Sequence, residues 1–144
     1  MRRASKFRLY AAAALLSLYS HAACAEVVVI VSNKNPLTVL SVEQVSDIFL
    51  GKTASFPDGT AAVPIDQIES STLRQEFYVK TTGKTAQLLK AYWSKMIFTG
   101  RGEPPREIAD SASIRKLVAD NPHFIGYVER AAVDASVKVV LTVK

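Results

Sequence analysis

Glu26-Val27-Val28-Val29-Ile30-Val31-Ser32 contains five β-branched apolar residues in succession. Such a run suits a strand buried on both faces, because a strand with one wet face alternates apolar and polar residues. A strand covered on two sides needs helices on both, so an α/β layered domain is expected. Working outward, Ser41 with Gln44 three residues later is a capping-box signature, and Val42, Val45, Ile48 and Phe49 share one helical face. Gly51 ends that helix.

Further along, Lys52 to Thr60 is turn-rich, with Pro57, Asp58 and Gly59, and Ala61 to Ile65 reads as a second strand. Ser70 to Val79 reads as a helix capped by Ser70 or Ser71, with Leu73 and Phe77 on a buried face. Between Thr85 and Phe98, Leu88, Leu89, Tyr92, Trp93, Met96 and Ile97 recur at helical spacing; this is the most amphipathic segment and is expected to form much of the core. Glycines and prolines then break the chain from Thr99 to Pro105, and residues 99–109 are a candidate functional loop. Asp110 or Ser111 starts a helix with Ile114, Leu117 and Val118, which Pro122 ends. Phe124 to Val128 and Val137 to Val143 read as the last strands, and the alternation predicts a mixed or mainly parallel sheet flanked by helices.

Upstream of the first strand, Arg2, Arg3, Lys6 and Arg8 precede an apolar stretch from Leu9 to Tyr19 and small residues ending Ala23-Cys24-Ala25. This is the pattern of a secretory signal peptide, residues 1–25, cut before Glu26. The apolar stretch is short of the ~20 residues that span a bilayer. A lipid anchor on Cys24 is the competing fate, but His21 stands where a lipobox has an aliphatic residue. Removing 25 of 144 residues leaves 119, a common size for one domain, so residues 26–144 are expected to form a single domain. The cut also removes the sole cysteine, and with it disulfide and thiol chemistry. Four of the 18 basic residues leave too, so 14 remain against 13 acidic ones. A net charge near +1 gives no footing for nucleic-acid binding.

The segment Asp66-Gln67-Ile68-Glu69-Ser70-Ser71-Thr72 joins an expected strand to an expected helix. Free N–H groups and the positive end of the helix dipole favour an anion there, and hydroxyls can complete its shell. The competing reading is ordinary N-capping, worth ~1 kcal/mol. Catalysis finds little footing: after the cut the one histidine is His123, beside Pro122, and no nucleophile elbow or metal-ligand spacing is present.

Ile48-Phe49-Leu50-Gly51-Lys52, Ser70-Ser71-Thr72 with Phe77, and Ile125-Gly126-Tyr127-Val128 resemble, in order and spacing, segments of the phosphate-type periplasmic substrate-binding proteins. The resemblance covers nearly all of residues 26–144 but only one of the two lobes such proteins close around a ligand. It implies a single lobe of the type 2 periplasmic-binding-protein fold. In that family a Ser-Gly-Thr at a helix N-terminus holds the anion, with an arginine four residues before the serine. Ser70 and Thr72 match; Ser71 replaces the glycine and Asp66 stands in the arginine's place, where a carboxylate repels a bound phosphate. Arg74 could compensate, pair with Asp66 or Glu69, or face solvent. A shorter, stand-alone exported group is also similar, through Tyr92-Trp93 and the loop from Phe98 to Pro105. Arg101 and Arg106 of that loop are a docking or anion site, or solvated charges on a shaped turn.

The resulting expectation is a non-catalytic periplasmic binding domain without metal or cofactor, with Ser70, Ser71, Thr72 and Arg74 taking phosphate or another small anion. The alternative is an interaction module that docks an inner-membrane sensor or transporter component, as a monomer or weak homodimer.

Overall fold

The computed structural model describes residues 26–144; the expected signal peptide lies outside them. In chain order the elements are β1 (Val27–Ser32), α1 (Val42–Phe49), β2 (Val63–Gln67), α2 (Thr72–Thr82), α3 (Ala86–Phe98), β3 (Arg106–Ile108), α4 (Ser111–Asp120), β4 (Phe124–Glu129), a 3-10 turn at Arg130–Ala132, and β5 (Val137–Thr142). The strands form one sheet in the order β3-β2-β4-β1-β5. β2 runs parallel to β3 and β4, whereas β1 runs antiparallel to β4 and β5, so the sheet is mixed.

The apolar run explains itself in this arrangement. All six residues of β1 are buried. Val27, Val29 and Val31 enter one core with Val45, Phe49, Phe77 and Tyr127, while Val28 and Ile30 enter a second with Ile65, Ile114 and Val118. Successive side chains of a strand point to opposite faces. Both faces of β1 are therefore dry, α1 and α2 covering one and α4 the other.

α1 begins with the expected capping box: the Ser41 hydroxyl accepts from Gln44 N–H, and the Gln44 side chain accepts from Ser41 N–H. It ends at Leu50, with Gly51 at φ +70°, a conformation that costs glycine little. The other telling glycine is Gly126 on β4, where a Cβ would lie 2.7 Å from Ile114 Cγ2. Its missing side chain lets α4 lie close against the sheet.

Three expectations need correction. β2 lies two residues beyond the predicted strand, which brings Asp66 and Gln67 out of the expected connection and into the sheet. Residues 99–109 are not all loop, because Arg106–Ile108 pairs with Ile65–Gln67 as an edge strand. α3 supplies little of the core: Leu89 and Trp93 are buried, but Leu88, Ile97 and Phe98 are 55, 56 and 92 % exposed. α1 and α2 lie on that face of the sheet, whereas α3 meets the other elements only sparsely.

Candidate functional site at the start of α2

At the end of β2 the carboxyl group of Asp66 is almost fully enclosed. Tyr78, on α2, donates to its Oδ2 at 2.5 Å, and Tyr127, on β4, donates to its Oδ1. The N–H of Gln67 donates to Oδ1 at 2.8 Å, and Arg74 Nη1 lies 3.7 Å from Oδ2. A buried carboxyl group is tolerated when its lone pairs are filled in this way. Burial raises the pKa of Asp66, against the opposing pull of Arg74, the two tyrosines and the Gln67 N–H. Burial and then the neighbouring Asp66 push both tyrosines up, so their hydroxyls stay protonated as donors.

Gln67 extends the network. Its Nε2 donates to the Tyr127 carbonyl and to Ser111 Oγ, each at 3.2 Å, and its Oε1 accepts from Ser71 Oγ at 2.9 Å. The start of α2 is thereby fastened to β4 and α4.

The four residues expected to hold an anion have distinct positions. Ser70 is exposed in the turn before the helix. Ser71 is the N-cap, its hydroxyl accepting from Arg74 N–H at 3.2 Å while donating to Gln67. Thr72 is the first helical residue and exposed. Arg74 folds back: Nη1 donates to the Gln67 carbonyl at 2.8 Å and to Glu107 Oε1 at 2.7 Å, with the guanidinium 5.6 Å from the centre of the Tyr78 ring. Burial pulls the Arg74 pKa down, but Asp66 and Glu107 outweigh it and the guanidinium is held charged.

Ser70, Ser71, Thr72 and Arg74 therefore sit around one helix start, with Ser71 and Arg74 already engaged inside the protein. Among the described residues no protein acceptor meets the N–H of Thr72 or Leu73. A cavity of about 220 Å³ opens beside Arg74, walled by Tyr78, Leu89 and Trp93. Sequence reasoning missed Tyr78, Tyr127, Gln67 and Glu107. Tyr78 lay in an expected helix and Tyr127 in an expected strand with no role assigned to either side chain, and Glu107 lay in the supposed loop. His123 is exposed in the turn between α4 and β4, where its N–H donates to Asn121 Oδ1. No helix among the described residues is long and apolar enough to cross a membrane.

No protein-family model and no curated protein matches the sequence. Solved structures do match. A phosphate ABC transporter substrate-binding protein of Clostridium perfringens with bound phosphate superposes on 80% of this chain at 24% identity and a TM-score of 0.65. An ABC-type phosphate transport receptor of Vibrio cholerae covers 80% at 19% identity and 0.63, and PstS of Borrelia burgdorferi covers 80% at 14% and 0.55. The match spans 44, 45 and 46% of those chains, so this chain corresponds to less than half of each. At these identities the likeness fixes the fold: an α/β single lobe of the type 2 periplasmic-binding-protein kind, as seen in phosphate-type substrate-binding proteins.

Proposed function

We propose that residues 26–144 act in the periplasm, after loss of the signal peptide, as a non-catalytic solute-binding lobe that takes phosphate or another small anion at the start of α2. The observation carrying this reading is the pair of unmet N–H groups of Thr72 and Leu73, flanked by the exposed hydroxyls of Ser70 and Thr72. Unpaired N–H groups and the helix dipole attract negative charge at this point. Ser71 holds the helix start in place, and Arg74 lies there with its charge offset by Glu107 and Asp66, so the helix N–H groups and hydroxyls carry the attraction.

Residues 26–144 by themselves leave an anion at the start of α2 facing water, which weakens every electrostatic contact, so a Kd near ~1 mM is expected for this stretch alone. The test is a thermal-shift series on residues 26–144 with phosphate, sulfate and carboxylates, since a ligand bound only to the native state raises the melting temperature. The expected result is a rise that Ser70→Ala with Thr72→Ala abolishes. No rise with any of these anions at tens of millimolar overturns the reading.

A second reading, docking of an inner-membrane transporter component or sensor, or of a second copy, draws on Phe98 at the end of α3, 92% exposed, with Leu88 and Ile97 also exposed. Sedimentation velocity tests self-association, and cross-linking in membranes tests a partner; each signal must fall in Phe98→Ser.

A further inference from the structure

Away from the start of α2, a recess of about 340 Å³ lies between the end of α1 and the second half of α3. It is walled by Tyr92 and Met96 and ringed by Lys52, Lys95 and Arg101, with Thr99 at its edge and no acidic residue in its lining. None of these three cations takes part in an ion pair among the described residues. A fourth, Lys84, lies with Nζ 5.1 Å from the centre of the Tyr92 ring. The recess is firmly built. The Tyr92 hydroxyl donates to the Leu50 carbonyl at 2.6 Å, which fixes the ring against the end of α1. Gly100, at φ +67°, turns the chain back so that Arg101 N–H donates to the Met96 carbonyl at 2.9 Å.

Cations near helix C-termini are ordinary, because they offset the negative end of the dipole. Here the ends of α1 and α3 both border the recess, through Lys52 on one side and Thr99 and Arg101 on the other, and each C-terminus is equivalent to roughly −0.5 of a charge. Together they offset about one of the three ring cations, so a positive surplus of about two charges remains over an aromatic wall. The domain as a whole is near +1, with acidic residues available elsewhere, and the surplus is local.

We propose that this recess is a second binding site, for a small organic anion with two or more negative charges and a flat or apolar body: a polycarboxylate or a phosphate ester. The body lies against Tyr92 and Met96 while the charges meet Lys52, Lys95 and Arg101. Its volume falls within the ~300–1,000 Å³ of small-molecule sites. The site shares no residue with the start of α2, and so stands or falls separately from the reading above.

Isothermal titration of residues 26–144 with benzene-1,3,5-tricarboxylate, benzoate and inorganic phosphate tests it. The tricarboxylate is expected to bind at least about tenfold tighter than benzoate or phosphate, because the charge surplus rewards multiple charges and the wall rewards a ring. Lys95→Gln with Arg101→Gln, both exposed positions, should remove that preference, whereas Ser70→Ala with Thr72→Ala should leave it intact. Circular dichroism establishes that each variant is folded. Equal affinities for tricarboxylate and benzoate overturn the proposal. So does a preference lost in the Ser70/Thr72 variant and kept in the Lys95/Arg101 variant. Co-sedimentation with phosphatidylserine vesicles, undiminished by the tricarboxylate, assigns the cations to a membrane surface and also overturns it.

Discussion

α2 and α3 are neighbours in sequence and opposites in packing. α2 has few apolar residues, yet Phe77, Tyr78 and Thr81 are buried and Tyr78 reaches Asp66 on the sheet. α3 has apolar residues on most of its turns, yet only Leu89 and Trp93 are buried. The periodic pattern of a helix says what it could bury, and the surface left over by other elements decides what it does bury. α2 lies on β1, β2 and β4, whereas α3 makes no comparable contact with any strand.

The largest effect expected from this contrast is Phe77→Ala. The Phe77 ring stacks on Tyr127 with centres 3.9 Å apart and meets Phe49 edge-on. Its removal should cost about 3–5 kcal/mol in a denaturant titration. Asp66→Ala comes next, at about 2–4 kcal/mol, because the Tyr78 and Tyr127 hydroxyls are left buried without their acceptor. Ser71→Ala should cost about 1 kcal/mol through loss of the N-cap. Phe98→Ala, on α3, should change stability by less than about 0.5 kcal/mol. A cost for Phe98→Ala comparable with that for Phe77→Ala would break the contrast. Hydrogen exchange sharpens it, with amides of α3 expected to exchange faster than those of α2.

Acid titration contrasts the buried carboxyl group that α2 covers with the exposed one that caps α4. Burial raises the folded-state pKa of Asp66 above 3.8, so the folded chain holds this proton more tightly than the unfolded chain. Its contribution to stability is fully present below 3.8 and is lost as pH rises through the raised folded value. Asp110, the N-cap of α4, has the opposite sign. Hydrogen bonds from Ser113 lower its pKa, so its contribution is present above 3.8 and is lost as pH falls through the folded value. Carbon-13 NMR titration should place the Asp66 midpoint above, and the Asp110 midpoint below, that of an unfolded aspartate. Asp66→Asn should abolish the loss of stability that accompanies rising pH through the Asp66 transition.

Features encoded by neighbouring residues were legible in the sequence. The apolar pattern of β1, the Ser41/Gln44 box and the Ser71 cap, one of two offered, all rest on residues close together in the chain. Asp66 was not legible as a buried group. Its environment comes from Tyr78 and Tyr127, 12 and 61 residues away, and short-range pattern reads a lone aspartate as solvated. The position of the anion candidates at a helix start was readable, because capping chemistry is local. The commitment of Arg74 was only half readable: Asp66 was among the foreseen partners, but Glu107, 33 residues on, belongs to a strand hidden by the prolines before it. A mixed sheet was among the expectations and is what forms, but which strand runs antiparallel was the remaining gap. Alternating strands and helices suggest parallel pairing, but the antiparallel placement of β1 between β4 and β5 depends on strand order, which no local pattern encodes.

The brevity of β3 has a consequence for behaviour at high concentration. An open sheet invites a neighbouring molecule to lay a sixth strand along its rim, the first step toward aggregation. β3 offers only three residues, two of them the charged Arg106 and Glu107, and Pro104-Pro105 directly before it have no N–H to lend to a ladder. At the far rim, β5 is longer, but the Leu40 N–H already takes the Val140 carbonyl at its middle. Both rims are thus poor templates for another chain, and the sheet resists polymerisation without having to close into a barrel.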